Sequence, residues 1–131
     1  MRAVLDTNVL LRGLTPSAEY DELKASALTW GEIRRGIGMY RGKGDAGTAL
    51  RFETHYNALR MAFGTGLPFD DAAAAAFQTV VELTHRAGRD SKGRVIDLMI
   101  AATAVAHRAD LVTNNVKDFA GLESVLNVVA A

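Results

Sequence analysis

Residues 3–8 read AVLDTN, an apolar triplet followed at once by a polar turn. A short apolar run that ends at a turn predicts a buried strand of a parallel sheet. Near the other end of the chain, residues 111–115 read LVTNN and repeat this design. Ligands of parallel sheets bind beyond the carboxyl ends of the strands, where loops and helix starts converge. We therefore expect Asp6 and Asn115 to lie at a functional edge of one sheet.

Helical patterns fill most of the chain between these two segments. The predicted elements are a strand at 3–5, a helical segment at 9–14, a short acidic helix at 18–24, a strand at 25–28, helices at 30–40, 48–63, 72–87 and 95–107, a strand at 111–113, a turn through 119 and a last strand at 125–129. Thr29 and Glu32 match the capping box that begins a helix. Strands that alternate with long helices predict an α/β fold, in which helices flank a central, mostly parallel sheet of four to five strands. The length predicts one domain, residues 1–131.

The composition is that of a globular domain and excludes several kinds of site. Hydrophobic residues make up 49% of the chain and charged residues 23%, so a disordered chain is not expected. The absence of cysteine excludes disulfides, thiolate zinc sites, iron–sulfur clusters and thiol catalysis. Because 15 basic residues balance 15 acidic ones, no overall charge indicates a nucleic-acid binder. No apolar run reaches about 18 residues, and we expect a cytoplasmic protein with no membrane partner.

Asp97 is the only charged residue between Arg94 and His107, in a segment that otherwise consists of Val, Ile, Leu, Met, Ala and Thr. Such a helix is buried nearly all round. A carboxylate there must be paired, hydrogen-bonded in the first helical turn, or bound to a cation, because an unpaired charge in an apolar setting is very costly. A favourable first-turn charge and a metal ligand both agree with its position.

Three further acids have an ordinary interpretation besides a functional one. Asp6 can cap a helix or turn, Glu32 can complete the capping box, and Asp118 can be a solvated turn residue beside Lys117. If the sheet is wound as predicted, however, all three meet Asp97 in one cleft. Two carboxylates about 4 Å apart repel by roughly 4 kcal/mol at an effective dielectric constant near 20, so such a cluster holds protons or a cation.

The chemistry of this cluster favours a hard divalent cation. Mg²⁺ and Mn²⁺ take oxygen ligands and keep several waters, whereas a catalytic zinc site usually contains histidine. The three histidines, His55, His85 and His107, lie on separate segments without the spacing of metal ligands. The sequence therefore predicts a Mg²⁺ or Mn²⁺ site.

Four short segments carry the acids and the polar residues around them. In chain order they are VLDTNVL at 4–10, SALTWGEI at 26–33, DLMIAATA at 97–104 and LVTNNVKDF at 111–119. These segments resemble the motifs of the PIN-domain ribonucleases, and most of all those of the VapC toxins of bacterial toxin–antitoxin pairs. The resemblance covers essentially the whole chain. It implies a Mg²⁺-dependent endoribonuclease, with Mn²⁺ able to substitute, that hydrolyses phosphodiesters of tRNA or another structured RNA.

The resemblance also implies roles for individual residues. The acidic cluster of the family corresponds to Asp6, Glu32 and Asp97, with a fourth group near Asp118. The principal metal ligands correspond to Asp6 and Asp97, and the metal would activate water for in-line attack while Glu32 positions the water or a second metal. Neutral hydrogen bonds to ligands or to the scissile phosphate would come from Thr7, Asn8, Thr113 and Asn115.

Two features depart from the family pattern. Many PIN domains have an acid directly after the Thr-x pair of the fourth motif, where this chain has Asn115. Three roles are therefore open for Asp118, which could replace that acid, bind a metal through water, or only cap a turn. The segment between Asp6 and Glu32 is short for the family, which predicts a trimmed helix and a more open rim.

Two groups of basic residues flank the predicted site, one after Glu32 and one before Asp97. The residues that we expect to contact RNA are Arg34, Arg35, Arg89, Lys92 and Arg94. Contacts to phosphates would make RNA binding sensitive to salt. The alternative interpretation is that these residues are solvated helix and loop charges.

Apolar residues in the first third of the chain allow two interpretations. The residues concerned are Leu10, Leu11, Leu14, Ile33, Ile37, Met39 and Tyr40. A tightly packed core would absorb them all. The family resemblance implies instead a hydrophobic groove that receives the C-terminal segment of a VapB-like antitoxin, and a homodimer.

Two other functions are open from the residues alone. A metal-dependent phosphohydrolase or receiver-like domain would use Asp6 as phospho-acceptor, but residues 6–8 lack the second Asp of such a motif. A catalytically silent RNA-binding or interaction module would keep the acids as caps, and Asn115 supports this alternative.

Overall fold

The structure is a computed structural model that describes residues 1–131, and it has the α/β fold that the sequence predicts. The strands are β1 (Arg2–Leu5), β2 (Glu22–Lys24), β3 (Asp110–Thr113) and β4 (Val128–Ala130). The helices are α1 (Thr7–Arg12), α2 (Ala27–Gly42), α3 (Ala46–Phe63), α4 (Asp71–Arg86) and α5 (Val95–Ala106), and a 3₁₀ turn spans Val116–Phe119. All strands are parallel, in the order β2-β1-β3-β4. None of the helices combines the length and the hydropathy that a membrane crossing requires.

Helices cover both faces of the sheet because the side chains of each strand alternate between two cores. Val4 and Leu111 pack with α4 and α5, whereas Leu5 and Val112 pack with α1, α2 and α3. All four side chains are buried. Burial on both faces explains why β1 and β3 are continuous apolar runs in the sequence.

The structure differs from the sequence prediction just before α2. The acidic helix predicted at 18–24 is wrong, because the end of this segment pairs with β1 as the edge strand β2. The strand predicted at 25–28 is also wrong. The buried hydroxyl of Ser26 accepts a hydrogen bond from the backbone N–H of Leu28 at 3.1 Å, and this cap starts α2 at Ala27.

The capping box predicted for Thr29 and Glu32 is wrong for the same reason. Both residues lie within the first two turns of α2 rather than at its start, and their side chains turn toward α1. The last strand runs over 128–130 rather than 125–129. Leu126 does not pair in the sheet but packs into the core that α4 and α5 share.

The apolar helix predicted before β3 is confirmed as α5. Six of its twelve residues are buried. Because α5 leads directly into a parallel strand, it runs antiparallel to the sheet, and its N-terminus lies at the carboxyl ends of the strands. Asp97, in the first turn of α5, is thereby delivered to the same edge as Asp6.

The close approach at Gly66 gives a test of this packing. A Cβ at position 66 would lie 2.6 Å from the backbone nitrogen of Ala27 and 2.8 Å from the side chain of Trp30. We expect Gly66→Ala to lower the free energy of unfolding by about 1–3 kcal/mol, as overpacking does. Gly38→Ala, at a helical position with nothing within 4 Å, should raise it by about 0.5–1 kcal/mol. Urea unfolding measures both changes, and equal effects would contradict the close approach.

Candidate active site

Asp6 is held rigidly where β1 meets α1. Its Oδ1 accepts a hydrogen bond from the backbone N–H of Thr7 at 2.9 Å, and its Oδ2 accepts one from the hydroxyl of Thr113 at 3.0 Å. Its own backbone N–H donates to the carbonyl of Val112 at 2.9 Å. Only 9% of Asp6 is exposed. The orientation of its carboxylate is therefore fixed from both β1 and β3.

Two threonine hydroxyls position Glu32. Thr7 donates its hydroxyl proton to Oε1 of Glu32 at 2.7 Å, and the hydroxyl of Thr29 lies 2.9 Å from that of Thr7. A hydroxyl has one proton to donate, so Thr29 donates to Thr7 while Thr7 donates to Glu32. The sequence suggested a ligand contact for Thr7, whereas the structure commits its hydroxyl to Glu32. The sequence predicted only a capping role for the buried Thr29. Its contact with the hydroxyl of Thr7, 22 residues away, has no local sequence signal.

Asp97 is half-buried and has a raised pKa. Burial is the largest cause, and the negative charges of Asp6 and Glu32 follow. The positive charge of Arg94 opposes them, and the negative charge of Asp118 adds a smaller increase. No hydrogen bond stabilises the charged form of Asp97. The charges of Asp6, Glu32 and Asp118 thus all act on Asp97, and we call these four residues the acidic site.

Asp118 lies on the rim of the acidic site and is partly neutralised. Arg89 Nη2 lies 3.5 Å from its Oδ1, and Arg89 Nη1 donates to the backbone carbonyl of Lys117 at 2.8 Å. The backbone N–H of Asn115 donates to the hydroxyl of Thr113 at 3.1 Å, and the Asn115 side chain is exposed. This edge therefore presents a neutral amide and a paired carboxylate.

Arg94 adds a positive charge beside Asp97. It occupies the position just before α5, where helices favour Ser, Thr, Asp or Asn, and its side chain makes no cap. Its guanidinium lies over the ring of Phe119, 5.3 Å from the centroid, and both terminal nitrogens are buried without a hydrogen-bond partner. Because a guanidinium always keeps its charge, Arg94 offsets part of the repulsion among the acids.

The structure separates the other basic residues that were predicted to contact RNA. Arg35 lines a cavity together with Glu32, and Lys92 is exposed in the loop before α5. Arg34 instead reaches α3, where it donates to the hydroxyl of Tyr56 at 3.3 Å and lies over its ring. Arg35, but not Arg34, therefore borders the acidic site.

The apolar residues singled out in the first third of the chain lie mostly in the core. Leu10, Ile33 and Ile37 are buried, whereas Leu11 and Met39 are more than one third exposed. A packed core accounts for most of these residues. Leu11 and Ile33 also line a cavity beside the acidic site.

The donor set fits a hard divalent cation whose coordination is completed by water. Asp6 and Asp97 offer carboxylate oxygens at the same edge of the sheet, and no group of three Asp, Glu or His side chains is arranged to hold a metal by itself. Mg²⁺ is usually bound through one or two carboxylates and keeps several waters. Asp6 and Asp97 are the residues that would hold such an ion, with water as the remaining ligands.

The raised pKa of Asp97 predicts that this carboxylate destabilises the metal-free protein at neutral pH. The folded state binds the Asp97 proton more tightly than the unfolded state does, so stability rises as the pH falls through the raised pKa. We expect Asp97→Asn to raise the melting temperature in EDTA at neutral pH. The difference from the wild type should shrink as the pH is lowered and Asp97 takes up its proton.

Asp71→Asn is the matched control for this experiment. Asp71 is an exposed carboxylate in the first turn of α4, where it interacts favourably with the helix dipole. Its replacement should not raise the melting temperature. If Asp97→Asn lowered the melting temperature as well, a favourable first-turn charge would be the dominant role of Asp97.

Comparison with known proteins gives one family and a consistent fold. The sequence matches the PIN domain over residues 3–123, and no curated protein is significantly similar to it in sequence. The fold is similar to a chain of FitAcB from Neisseria gonorrhoeae, with a TM-score of 0.73, 25% identity, and coverage of 96% of this chain and 95% of that one.

Chains of toxin–antitoxin assemblies have the same fold. A chain of VapBC-5 from Mycobacterium tuberculosis, a member of the VapBC family of toxin–antitoxin systems, has a TM-score of 0.68 and 24% identity, covering 98% of this chain and 96% of that one. A chain of VapBC2 from Rickettsia felis bound to a promoter DNA fragment has a TM-score of 0.71 and 18% identity, covering 100% and 99%. The resemblance seen in the four sequence motifs is confirmed, and the matched residues contain the whole acidic site. The chain belongs to the PIN domain family.

Proposed function

We propose that the chain is a Mg²⁺-dependent endoribonuclease whose nuclease domain occupies residues 1–131. One observation carries this proposal: Asp6 follows β1 and Asp97 lies in the first turn of α5, both at the carboxyl ends of the strands, where the charges of Asp6, Glu32 and Asp118 oppose the ionisation of Asp97. Such a concentration of negative charge destabilises the metal-free site, and a divalent cation relieves it. Membership of the PIN domain family supports hydrolysis of a phosphodiester.

In this proposal Asp6 and Asp97 hold Mg²⁺, or Mn²⁺ in its place. When bound there, the ion would lower the pKa of a water ligand and would offset negative charge on the scissile phosphate. Glu32 accepts a hydrogen bond from the Thr7 hydroxyl on Oε1, which leaves Oε2 to orient the attacking water. Asp118 has the smallest effect on Asp97 of the three neighbouring acids, and Arg89 lies 3.5 Å from its carboxylate.

The polar residues predicted around the site divide into two kinds. Asn8 and Asn115 are exposed, and we propose that their amides donate to phosphate oxygens. Thr7 and Thr113 already bind Glu32 and Asp6, so they act on substrate only through those acids.

We propose that basic residues around the acidic site hold the RNA phosphates. The candidates that border the site are Arg35, Arg89 and Lys92, whereas both terminal nitrogens of Arg94 are buried, so Arg94 acts on the charge of Asp97 rather than on RNA. Arg34 is also disfavoured, because its guanidinium already binds Tyr56. The substrate is tRNA or another structured RNA in this proposal, since structured RNA is recognised largely through its shape and its backbone.

We further propose that the chain is the toxin of a VapBC-type pair. The support is its membership of the PIN domain family together with a fold shared with chains of VapBC toxin–antitoxin assemblies. A VapB-like antitoxin would be its partner, and the toxin would form a homodimer. The toxin and its antitoxin would act in the cytoplasm, where the RNA substrate is found.

A catalytically silent RNA-binding module of the same fold is the second candidate. It is favoured by the exposed amide of Asn115 and by the pairing of Asp118 with Arg89, which weaken the fourth acidic position. A phosphohydrolase is less well supported. Both carboxylate oxygens of Asp6 accept hydrogen bonds from the chain, and this lowers their reactivity as a nucleophile.

Cleavage of total cellular RNA, including tRNA, tests the proposed nuclease. The purified chain, free of any partner, should produce discrete fragments with Mg²⁺ and none with EDTA. We expect Asp97→Asn and Asp6→Asn to reduce cleavage to background, because each removes a metal ligand. Asp71→Asn should cleave like the wild type. Cleavage that persists in EDTA or in Asp97→Asn would contradict the proposal, and metal binding without cleavage would favour the silent module.

Salt dependence tests the proposed phosphate contacts. Each contact that is lost should lower the slope of log affinity against log salt by about 0.7 for single-stranded RNA. We expect Arg89→Ala with Lys92→Ala to flatten this slope in RNA-binding titrations. Arg108→Ala is the control, since Arg108 lies before β3 at the opposite edge of the sheet. An unchanged slope in the double variant would show that these charges are only solvated.

A further inference from the structure

A cavity of about 560 Å³ opens beside the acidic site, between α1, α2 and α3. It shares Glu32 with that site, together with Thr7, which binds Glu32, whereas Asp97 lines a different cavity that also includes Glu32. A molecule bound in the cavity between α1, α2 and α3 would therefore contact the acidic site at Glu32.

The wall of this cavity on α3 consists of Arg51, Phe52 and His55, one turn of the helix. Phe52 is 40% exposed, although its ring contacts two other residues. One side of the ring packs over Gly36, where an added Cβ would lie 3.2 Å from two ring carbons. Tyr40 meets the ring edge-to-face, with the centroids 5.2 Å apart. The ring is thus fixed in place while part of it faces the cavity.

Arg51 is a cation on the same wall, and its charge acts on Asp45 without a direct ion pair. The side chain to which its guanidinium donates is Thr48, at 3.1 Å, and it forms no ion pair, in contrast to Arg41 with Glu53 and Arg89 with Asp118. Its remaining N–H groups are free to bind an anion. His55 stands one turn further along α3 and is exposed.

The chemistry of the cavity suits a nucleotide. Leu11 and Ile33 give it an apolar floor, Phe52 offers an aromatic surface, and Arg51 offers a phosphate-binding fork. Proteins bind single-stranded nucleic acid by this combination, in which bases stack on aromatic rings and cations follow the backbone. A purely apolar protein segment would use only the floor and Phe52, whereas a nucleotide also uses the exposed Arg51.

We propose that this cavity binds the nucleotide next to the phosphodiester that is cut, with its base against Phe52 and its phosphate on Arg51. His55 and Asn8 stand at the rim, where they contact the same nucleotide. The inference rests on the proposed nuclease function and adds a subsite to it. Phe52 and Arg51 are binding residues, so they act on RNA affinity and on KM rather than on the chemical step.

Phe52→Leu tests the subsite, because leucine keeps the apolar contact with Gly36 and removes the aromatic face. We expect this variant to bind a fluorescently labelled single-stranded RNA hexamer, in EDTA, roughly fivefold or more weakly than the wild type, the lower end of what base–aromatic stacking supplies. With Mg²⁺, its KM should rise while its kcat stays near that of the wild type. Arg51→Gln should lower the salt slope of binding by about 0.7.

Phe77→Leu is the matched control, since Phe77 also belongs to an edge-to-face aromatic pair but lies on α4. It should bind and cleave RNA like the wild type, and circular dichroism should show both leucine variants folded. Equal RNA affinity of the two variants would overturn the subsite while leaving the nuclease intact. Unchanged RNA affinity of Phe52→Leu together with weaker antitoxin binding would also overturn it, because the cavity would then receive a protein. A wild type that neither binds nor cleaves RNA would refute the proposed function and the subsite together.

Discussion

The parallel pairing of β1 with β3 is the constraint on which the acidic site depends. Leu5 lies opposite Val112 in this pair, so Asp6 and Thr113, the next residue of each strand, meet across the end of the sheet. The buried hydrogen bond from the Thr113 hydroxyl holds the carboxylate of Asp6, which also accepts a hydrogen bond from the backbone N–H of Thr7. Because the side chains of a strand alternate, a slip of one residue would turn these groups to the opposite face.

The acidic site provides the negative charges that a metal ion would need, but the same charges lower the stability of the metal-free protein. Asp97 reaches the site because the buried residues of α5 anchor that helix, yet burial and neighbouring charges oppose its ionisation. Arg94 reduces this repulsion, although arginine is an unfavourable residue just before a helix and its buried nitrogens lack partners. Local rules of this kind are broken most often at functional sites. A bound cation would complete the compensation that Arg94 begins.

The sequence predicted the parts of the structure whose signal is local. Burial on both faces makes β1 and β3 readable as apolar runs, and Asp97 is conspicuous as a charge in an apolar helix. The short strand β2 was not predicted, because it forms only by pairing with β1. The start of α2 was misplaced because Ser26 and Thr29 are both acceptable caps. The bond from Thr7 to Glu32 joins residues 25 positions apart, and no local pattern encodes it.

Metal titration of the RNA-free chain directly tests whether Asp6 and Asp97 form a divalent cation site. Calorimetry with Mg²⁺, and electron paramagnetic resonance with Mn²⁺, would measure binding to the wild type, to Asp97→Asn and to Asp71→Asn. We expect the wild type and Asp71→Asn to bind the metal saturably, and we expect Asp97→Asn to lose this binding. A folded wild type that binds neither ion, or an Asp97→Asn variant that binds as tightly as the wild type, would contradict this expectation.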